Sequence, residues 1–120
     1  MACVLVIEDE EQVRVLAEAI LQDEGHQTLS ASDVPEALAL VQSDTRIDAL
    51  FTDIQLKNAE HGGLELTQKA VAARPQLRVV YTTAGGLTDG MKAMFVDGAA
   101  ILPKPYLPDD LRAAVAALFR

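Results

Sequence analysis

The chain has 120 residues, half of them apolar, and a net charge of −8 at pH 7. This size and composition indicate one folded domain spanning residues 1–120, and the acidic charge argues against nucleic acid as a direct partner. No apolar run approaches the roughly 20 residues of a membrane span, and the acidic N-terminus is unlike a signal peptide.

The first half of the chain alternates between strand-like and helix-like apolar patterns. Short apolar runs alternate with apolar residues at the three- and four-residue spacing of a helix. Gly25 is a natural stop for the first helix, and Asp33 with Glu36 resembles a capping box that begins the second. In order, the predicted elements are a strand at 2–7, a helix through 13–21, a strand at 27–31, a helix through 37–41 and a strand at 47–52.

The second half continues the alternation after a polar, glycine-containing loop. Pro75 ends the third helix, Gly98 follows the weaker fourth helix, and the fifth begins near Pro108 and Asp109. In order, the predicted elements are a helix at 63–74, a strand at 77–82, a helix at 88–97, a strand at 99–102 and a helix through 111–119.

The alternation of five strands with five helices predicts the fold class. Short connections between alternating elements imply parallel strands with right-handed crossovers, so we expect an α/β fold with a doubly wound, five-stranded parallel sheet. Near-continuous apolar strands are typical of a sheet that is covered on both faces. The single cysteine, Cys3, lies in the first of these strands, so we expect a buried thiol in a reducing cytoplasm.

Polar residues follow the strands at the edge where an open parallel sheet forms its sites. Three carboxylates in one crevice either raise one another's pKa or recruit a cation, and Mg²⁺ prefers such oxygen ligands. A carboxylate nucleophile, a hydroxyl, an ammonium and a metal together suit phosphoryl transfer. These residues are Glu8 and Asp9 after the first strand, Asp53 after the third, Thr82 and Thr83 after the fourth and Lys104 after the fifth.

Other chemistries lack their motifs in this sequence. No glycine-rich loop follows the first strand, which argues against a dinucleotide or P-loop nucleotide site. The G-x-S-x-G elbow of a serine hydrolase is absent, and neither His26 nor His61 follows a strand. No cluster of histidines or cysteines indicates zinc.

Four motifs in order resemble a known family over essentially the whole chain. "VIEDE", "FTDIQL", "YTTAG" and "LPKPY" follow the first, third, fourth and fifth predicted strands. This set is similar to the receiver domains of two-component response regulators, and it looks closest to the single-domain type or to the receivers of sensor kinases. The resemblance implies a flavodoxin-like (βα)5 fold with the strand order 2-1-3-4-5.

The resemblance also implies a role for each matching acidic residue. Asp53 would accept a phosphoryl group from a histidine kinase or a histidine phosphotransfer protein. Glu8, Asp9 and Asp53 would bind Mg²⁺, together with the backbone carbonyl of Gln55. The domain would then be a phosphoacceptor that signals in the cytoplasm, and not an enzyme beyond its own autophosphorylation and autodephosphorylation.

Two further residues take their roles from the same resemblance. Thr83 would turn toward the phosphoryl group, and Lys104 would pair with it. The Lys104–Pro105 peptide bond is often cis in such domains. A downstream protein would bind the face formed by the fourth helix, the fifth strand and the fifth helix, where the chain is less acidic. Residues 1–65 carry 14 acids and 3 bases, whereas residues 66–120 carry 4 acids and 7 bases.

The sequence departs from the family at three places. Lys57 stands where proline is usual, in a longer loop that we expect to be mobile and from which Lys57 or His61 could reach the site. Ile101 stands where many receivers carry the aromatic residue of a rotamer switch, and Tyr81 and Tyr106 are candidate substitutes. The sequence ends after the fifth helix, so we expect signalling through protein contacts or phosphoryl relay.

Several alternatives remain open at this stage. Glu10 and Glu11 are expected to be first-turn helix acids, and Glu8 and Asp9 could share that explanation. The chain could be a receiver excised from a hybrid kinase or a larger regulator, or an interaction module that works without phosphorylation. An aspartate-nucleophile hydrolase ranks lower, because such enzymes usually carry a second acid where this chain has Gln55.

Overall fold

A computed structural model describes residues 1–120 and contains one five-stranded parallel sheet, in the order β2-β1-β3-β4-β5. The predicted doubly wound α/β fold and its strand order are therefore confirmed. The strands are β1 (Cys3–Ile7), β2 (Gln27–Ala31), β3 (Ala49–Asp53), β4 (Arg78–Thr83) and β5 (Ala100–Pro103). The helices are α1 (Glu11–Asp23), α2 (Val34–Gln42), α3 (Gly62–Ala73), α4 (Asp89–Ala93) and α5 (Pro108–Leu118).

Two hydrophobic layers cover the two faces of the sheet. Successive side chains of a strand point to opposite faces, so Val4 and Val6 of β1 pack on one side and Leu5 and Ile7 on the other. The first layer includes buried residues of α1 and α5, and the second includes buried residues of α2, α3 and α4. No helix combines the length and the apolar character that crossing a membrane requires.

Acidic side chains fix the starts of two helices. The Asp33 carboxylate accepts a hydrogen bond from the Glu36 backbone N–H at 2.8 Å, as the predicted capping box requires. The Glu36 side chain returns its bond to the N–H of Ser32, one residue before the cap, at 2.7 Å. At α5, Asp110 accepts a hydrogen bond from the Leu107 N–H at 3.0 Å, so the two helices begin close to their predicted positions.

The fourth helix is shorter than predicted and ends at Ala93 rather than Asp97. After Met94, the chain leaves the helix and turns back against β4. The Val96 backbone N–H donates to the buried hydroxyl of Tyr81 at 3.2 Å, and the Phe95 ring packs against the Tyr81 ring with their centroids 4.5 Å apart. These tertiary contacts replace the hydrogen bonds that a further turn of helix would make.

The loop between β3 and α3 forms a hydrogen-bonded turn. Leu56 and Ala59 exchange two backbone hydrogen bonds of 3.1 and 2.9 Å, and the Leu56 side chain is buried. Asn58 has a φ of 65°, a left-handed conformation that asparagine tolerates better than most residues. Lys57 and His61 are both exposed, and neither hydrogen-bonds to Asp53. The turn therefore keeps the two basic side chains at the surface.

Candidate functional site

Three carboxylates meet at the carboxyl edge of the sheet. Glu8 and Asp9 follow β1, and Asp53 ends the neighbouring strand β3, where Ile7 pairs with Thr52. One oxygen from each carboxylate lies within 4.8 Å of the others. Glu8 and Asp53 are buried, and Asp9 is half-buried. The parallel topology thus brings together the three acids whose proximity the sequence predicts.

Lys104 joins two of these acids from the far side of the sheet. Its Nζ donates to Glu8 Oε1 at 2.6 Å and to Asp53 Oδ2 at 2.8 Å. Burial works to lower the pKa of Lys104, but the two carboxylates outweigh it and raise that pKa, so the ammonium stays charged. The peptide bond from Lys104 to Pro105 is cis. Through its two hydrogen bonds, the Lys104 ammonium offsets part of the negative charge of the three acids.

Burial disfavours the charged form of Glu8. Burial raises the pKa of its carboxyl above the ordinary value of 4.5, although the hydrogen bond from Lys104 opposes the change. Its second oxygen, Oε2, accepts a hydrogen bond from the Glu10 N–H at 3.2 Å. Arg14 Nη1 donates to the Glu8 backbone carbonyl at 2.8 Å and holds the turn between β1 and α1. The position of Glu8 is thus fixed through its backbone and its side chain.

The four consecutive acids of residues 8–11 divide into two pairs. Glu8 and Asp9 point toward the cluster that contains Asp53. Glu10 is the residue before α1, Glu11 is its first residue, and both are exposed. An acid in the first turn of a helix interacts favourably with the helix dipole, which accounts for the second pair.

The Asp53 carboxylate is held at both of its oxygens. Oδ2 accepts the bond from Lys104, and Oδ1 accepts a hydrogen bond from the Gln55 backbone N–H at 3.1 Å. The Gln55 side chain is exposed and lies near Gly85 in the loop after β4. Asp53 therefore sits in a fixed orientation between β1 and β5, next to an open loop.

Thr83 lies at the end of β4, where the sequence places it. Its hydroxyl is buried and accepts a hydrogen bond from the Gly85 N–H at 3.2 Å, so it is held by its own loop in this state. Thr82, its neighbour, is also buried, but its hydroxyl has no hydrogen-bond partner. The two adjacent threonines thus differ in how their hydroxyls are satisfied.

Gly63 sets how closely α3 approaches the end of β3. A Cβ at this position would collide with the backbone carbonyl oxygen of Asp53 and would lie 2.9 Å from Ile54 Cα. The Gly63 N–H donates to the Ile54 carbonyl at 2.9 Å across the same contact. A residue with any side chain would therefore push Asp53 away from its partners.

The two tyrosines named as candidate substitutes for an aromatic switch have different surroundings. Tyr81 is completely buried, and its hydroxyl pairs with Thr67 Oγ1 at 2.6 Å as well as with Val96. Tyr106 is half-buried with its ring edge-on to Phe51, and burial raises the pKa of its phenol. Ile101 is 36% exposed on the edge strand β5.

The donors at this edge fit a hard divalent cation. All three side chains present carboxylate oxygens, the ligands that Mg²⁺ prefers. The Lys104 ammonium pairs with Glu8 and Asp53, so the three carboxylates carry more negative charge than it offsets, and a cation would reduce that excess. The acids of the site therefore form a group that could hold a metal ion.

Sequence reasoning missed two residues that position the site. Gly63 is the second glycine of "HGGLEL", and its close approach to Asp53 depends on how α3 packs. Arg14 lies at the helical spacing of α1, where a charged residue is most simply explained as solvated, and yet it holds the Glu8 carbonyl. A glycine just inside a helix start is the one signal that could have indicated close packing.

Comparisons with known proteins agree on one family. The model of the response regulator receiver domain matches residues 4–116. The alginate biosynthesis transcriptional regulatory protein AlgB of Pseudomonas aeruginosa is 34% identical over 114 residues, which are 94% of this chain and 25% of that protein. The sporulation initiation phosphotransferase F of Bacillus subtilis is 27% identical over 113 residues, covering 93% of this chain and 89% of that protein.

Solved structures show the same similarity. A response regulator receiver protein from Sinorhizobium medicae superposes with a TM-score of 0.88 and 26% identity, over 98% of this chain and 93% of that one. The chain spans about a quarter of the length of the alginate and nitrogen-assimilation regulators that it matches.

Proposed function

The chain belongs to the response regulator receiver domain family of two-component systems, and on this premise we propose that it accepts a phosphoryl group on Asp53. The donor would be a phosphohistidine of a histidine kinase or a histidine phosphotransfer protein. The domain would act in the cytoplasm as a signalling domain and not as an enzyme, with only its own phosphorylation and dephosphorylation as chemistry.

One observation carries this proposal. The Asp53 carboxylate is buried yet accepts a hydrogen bond from the Lys104 ammonium at 2.8 Å, beside Glu8 and Asp9. An isolated structural aspartate has no need of two more carboxylates within 4.8 Å, because like charges repel one another. A nucleophile that must receive a highly charged group uses such an arrangement, since the ammonium offsets the charge that develops on the phosphoryl oxygens.

The transfer itself exchanges one bond for another. A carboxylate oxygen of Asp53 would attack phosphorus in line, forming an O–P bond as the N–P bond of phosphohistidine breaks. The imidazole nitrogen leaves with the electron pair of that bond. Lys104 would follow the negative charge from the carboxylate to the phosphoryl group, and the Gln55 N–H would keep Asp53 oriented through Oδ1. Thr83 would exchange its bond with Gly85 for one to a phosphoryl oxygen.

We further propose that Glu8, Asp9, Asp53 and the Gln55 carbonyl hold Mg²⁺. When bound, Mg²⁺ would neutralise part of the charge shared by the carboxylates and the phosphoryl group. The support for this assignment is the all-oxygen donor set and the excess of three carboxylates over the one ammonium of Lys104.

The downstream partner would bind the face formed by α4, β5 and α5. Movement of Thr83 toward the phosphoryl group would pull the loop that leads into α4, a helix of only five residues. Ile101 and Leu107 lie on this side and are 36% and 68% exposed, which provides apolar surface for a protein contact. A small difference in contacts between two packed states suffices to shift such an equilibrium.

Two settings for the domain are compatible with the relatives. The sporulation phosphotransferase is covered over 89% of its length, which fits a receiver that acts alone. The alginate regulator is covered over 25%, which fits the alternative of a receiver within a larger protein. In both settings, we propose the same phosphoacceptor and the same neighbours.

The test is incubation with acetyl phosphate or a phosphohistidine donor, with Mg²⁺ or with EDTA, followed by intact mass spectrometry. We expect a gain of one phosphoryl mass in Mg²⁺, mapped to Asp53, and its complete loss in Asp53→Asn.

The matched control is Asp48→Asn, which alters an aspartate at the opposite edge of the sheet and should leave labelling intact. Labelling that persists in Asp53→Asn would refute the assignment of the phosphoacceptor. Absence of labelling in every condition would instead favour an interaction module that works without phosphorylation.

A further inference from the structure

Thr82 carries the one buried side-chain polar atom of the protein that has no hydrogen-bond partner. The residue is 2% exposed, and its Oγ1 finds no donor or acceptor. Other buried threonines are satisfied, since Thr52 donates to a backbone carbonyl at 3.0 Å and Thr67 pairs with Tyr81 at 2.6 Å. An orphaned hydroxyl of this kind calls for a specific explanation.

The sheet places this hydroxyl beside the phosphoacceptor. Thr82 of β4 pairs in register with Asp53 of β3 and with Leu102 of β5. Residues paired across parallel strands point to the same face, so Thr82 lies on the face of Asp53. Lys104 follows β5 and reaches Asp53 after β3 and Glu8 after β1, and β4 lies between β5 and β3, so its side chain spans the strand that carries Thr82.

The hydroxyl is a disadvantage in the state described by the structure. A buried polar group without a partner costs free energy, whereas valine has nearly the same shape and would avoid that cost. The preceding residue on the same face, Val80, is an apolar β-branched side chain in the core. The hydroxyl is therefore explained if it gains a partner in another state of the molecule.

Phosphorylation of Asp53 would change the hydrogen-bond acceptors that are available to the Lys104 ammonium. It now donates two hydrogen bonds, to Glu8 and to Asp53, and an ammonium has three donors. Once Asp53 becomes an acyl phosphate, its carboxyl group loses its negative charge and is a weaker acceptor for Lys104. The ammonium must then follow the charge to the phosphoryl oxygens, and a fixed neutral acceptor beneath it would help to orient it.

We propose that Thr82 is a positioning residue, whose hydroxyl accepts a hydrogen bond from Lys104 when Asp53 is phosphorylated. This inference rests on the proposed phosphoacceptor function and adds a second hydroxyl, distinct from Thr83, to the site. In the unphosphorylated protein, the Thr82 hydroxyl has no partner. In the phosphorylated protein, it would accept this hydrogen bond from Lys104.

The test compares Thr82→Val and Thr82→Ser with the unaltered protein in two states. Beryllium fluoride with Mg²⁺ serves as the probe of the phosphorylated state, and its affinity is measured by NMR titration or calorimetry. Thr82→Val should raise the thermal midpoint of the free protein, because it removes an unsatisfied hydroxyl. It should weaken beryllium fluoride binding by on the order of tenfold and shorten the acyl phosphate lifetime, because one bond to a charged group is lost.

Two variants separate this role from a merely structural one. Thr82→Ser keeps the hydroxyl and should retain the affinity of the unaltered protein. Thr67→Val removes another fully buried threonine hydroxyl, away from the site, and should lower the thermal midpoint equally in both states. If Thr82→Val fails to fold, Thr82→Ala replaces it as the variant without the hydroxyl, with the same expected loss of affinity relative to Thr82→Ser.

The possible outcomes are distinct. Equal affinity of Thr82→Val and the unaltered protein for beryllium fluoride would overturn the inference and leave the phosphoacceptor function standing. Equal loss in Thr82→Val and Thr82→Ser would also overturn it, since the hydroxyl would then be irrelevant. Failure of the unaltered protein to bind the probe or to be labelled at Asp53 would instead overturn the proposed function itself.

Discussion

The two edges of the sheet use carboxylates in opposite ways. At the amino edge, Asp48 accepts a hydrogen bond from the Cys3 N–H at 2.8 Å and pairs with Arg46 at 2.9 Å. These bonds, the backbone one first, lower the pKa of Asp48 below its ordinary value of 3.8. At the carboxyl edge, burial raises the pKa of Glu8. The same chemical group therefore stabilises one edge and is held at a cost at the other.

The difference between the two edges lies in how far the charge of each carboxylate is compensated. Asp48 ties β1 to the start of β3 through the Cys3 N–H, and Arg46 offsets its negative charge. At the other edge, Lys104 pairs with Glu8 and Asp53, and Asp9 lies beside them, so the charge of the three acids is compensated only in part. Under the proposed function, such an unbalanced arrangement would favour the uptake of a cation, because binding would relieve the repulsion among the acids.

Removal of the Lys104 ammonium should have the largest effect on stability at the carboxyl edge. Lys104→Met leaves Glu8 and Asp53 buried without their shared partner, which should lower the free energy of unfolding by about 3–5 kcal/mol. Urea denaturation in EDTA measures this loss, and added Mg²⁺ should reduce it because a cation again offsets the acids. The exposed Lys57→Met serves as the control, with an expected change of at most about 0.5 kcal/mol. A loss unaffected by Mg²⁺ would contradict this reasoning.

Crowding behind Asp53 should have the next largest effect on stability. Gly63→Ala forces a methyl group against the Asp53 carbonyl and should destabilise the protein by about 1–3 kcal/mol. Labelling of Asp53 should slow as well, because the carboxylate shifts away from Lys104. Gly86→Ala, where a Cβ meets nothing within 4 Å, is the matched control for both measurements. Normal labelling kinetics in Gly63→Ala would show that the close contact does not position Asp53.

A smaller loss of stability is expected from a substitution at the amino edge. Asp48→Ala removes the acceptor of the Cys3 N–H and should cost about 1–2 kcal/mol at pH 7. Because the pKa of Asp48 is lowered in the folded state, its contribution is present above pH 3.8 and is lost as the pH falls through the folded pKa. Urea titrations across this range test the prediction. Asp44→Ala, an exposed aspartate without hydrogen bonds, should change little at any pH.

The smallest effect should have the opposite dependence on pH. Because the pKa of Glu8 is raised in the folded state, its ionisation should lower stability as the pH rises from 4.5 through the folded pKa, in the absence of metal. The difference between the unaltered protein and Glu8→Gln, followed by denaturation in EDTA, isolates this decline. A difference that rises with pH would mean that Lys104 outweighs burial at this carboxylate.

Much of this architecture was predictable from the sequence, because it follows local patterns. Each of the five strands lies within two residues of its predicted bounds at both ends, since short apolar runs bounded by polar residues identify buried parallel strands. The predicted end of α4 was wrong, because the helix is ended by contacts of Phe95 and Val96 with Tyr81 of β4. Local periodicity carries no information about such a tertiary contact.

The candidate site likewise has features that the sequence predicts and features that it does not. The meeting of Glu8, Asp9 and Asp53 follows from topology alone, because parallel strands end at one edge. The orphaned hydroxyl of Thr82 and the tight approach of Gly63 depend on individual interatomic distances. Those distances are set by the packing of whole helices against the sheet, and no spacing in the sequence encodes them directly.

The bond between Lys104 and Glu8 joins residues 96 positions apart, and this separation has a consequence for biosynthesis. A ribosome produces all three carboxylates of the cluster well before it produces the lysine that compensates them. Until Lys104 has been added, the three acids have no internal ammonium to offset their repulsion. A cation from solution is then the available counterion for any early structure that brings these acids together.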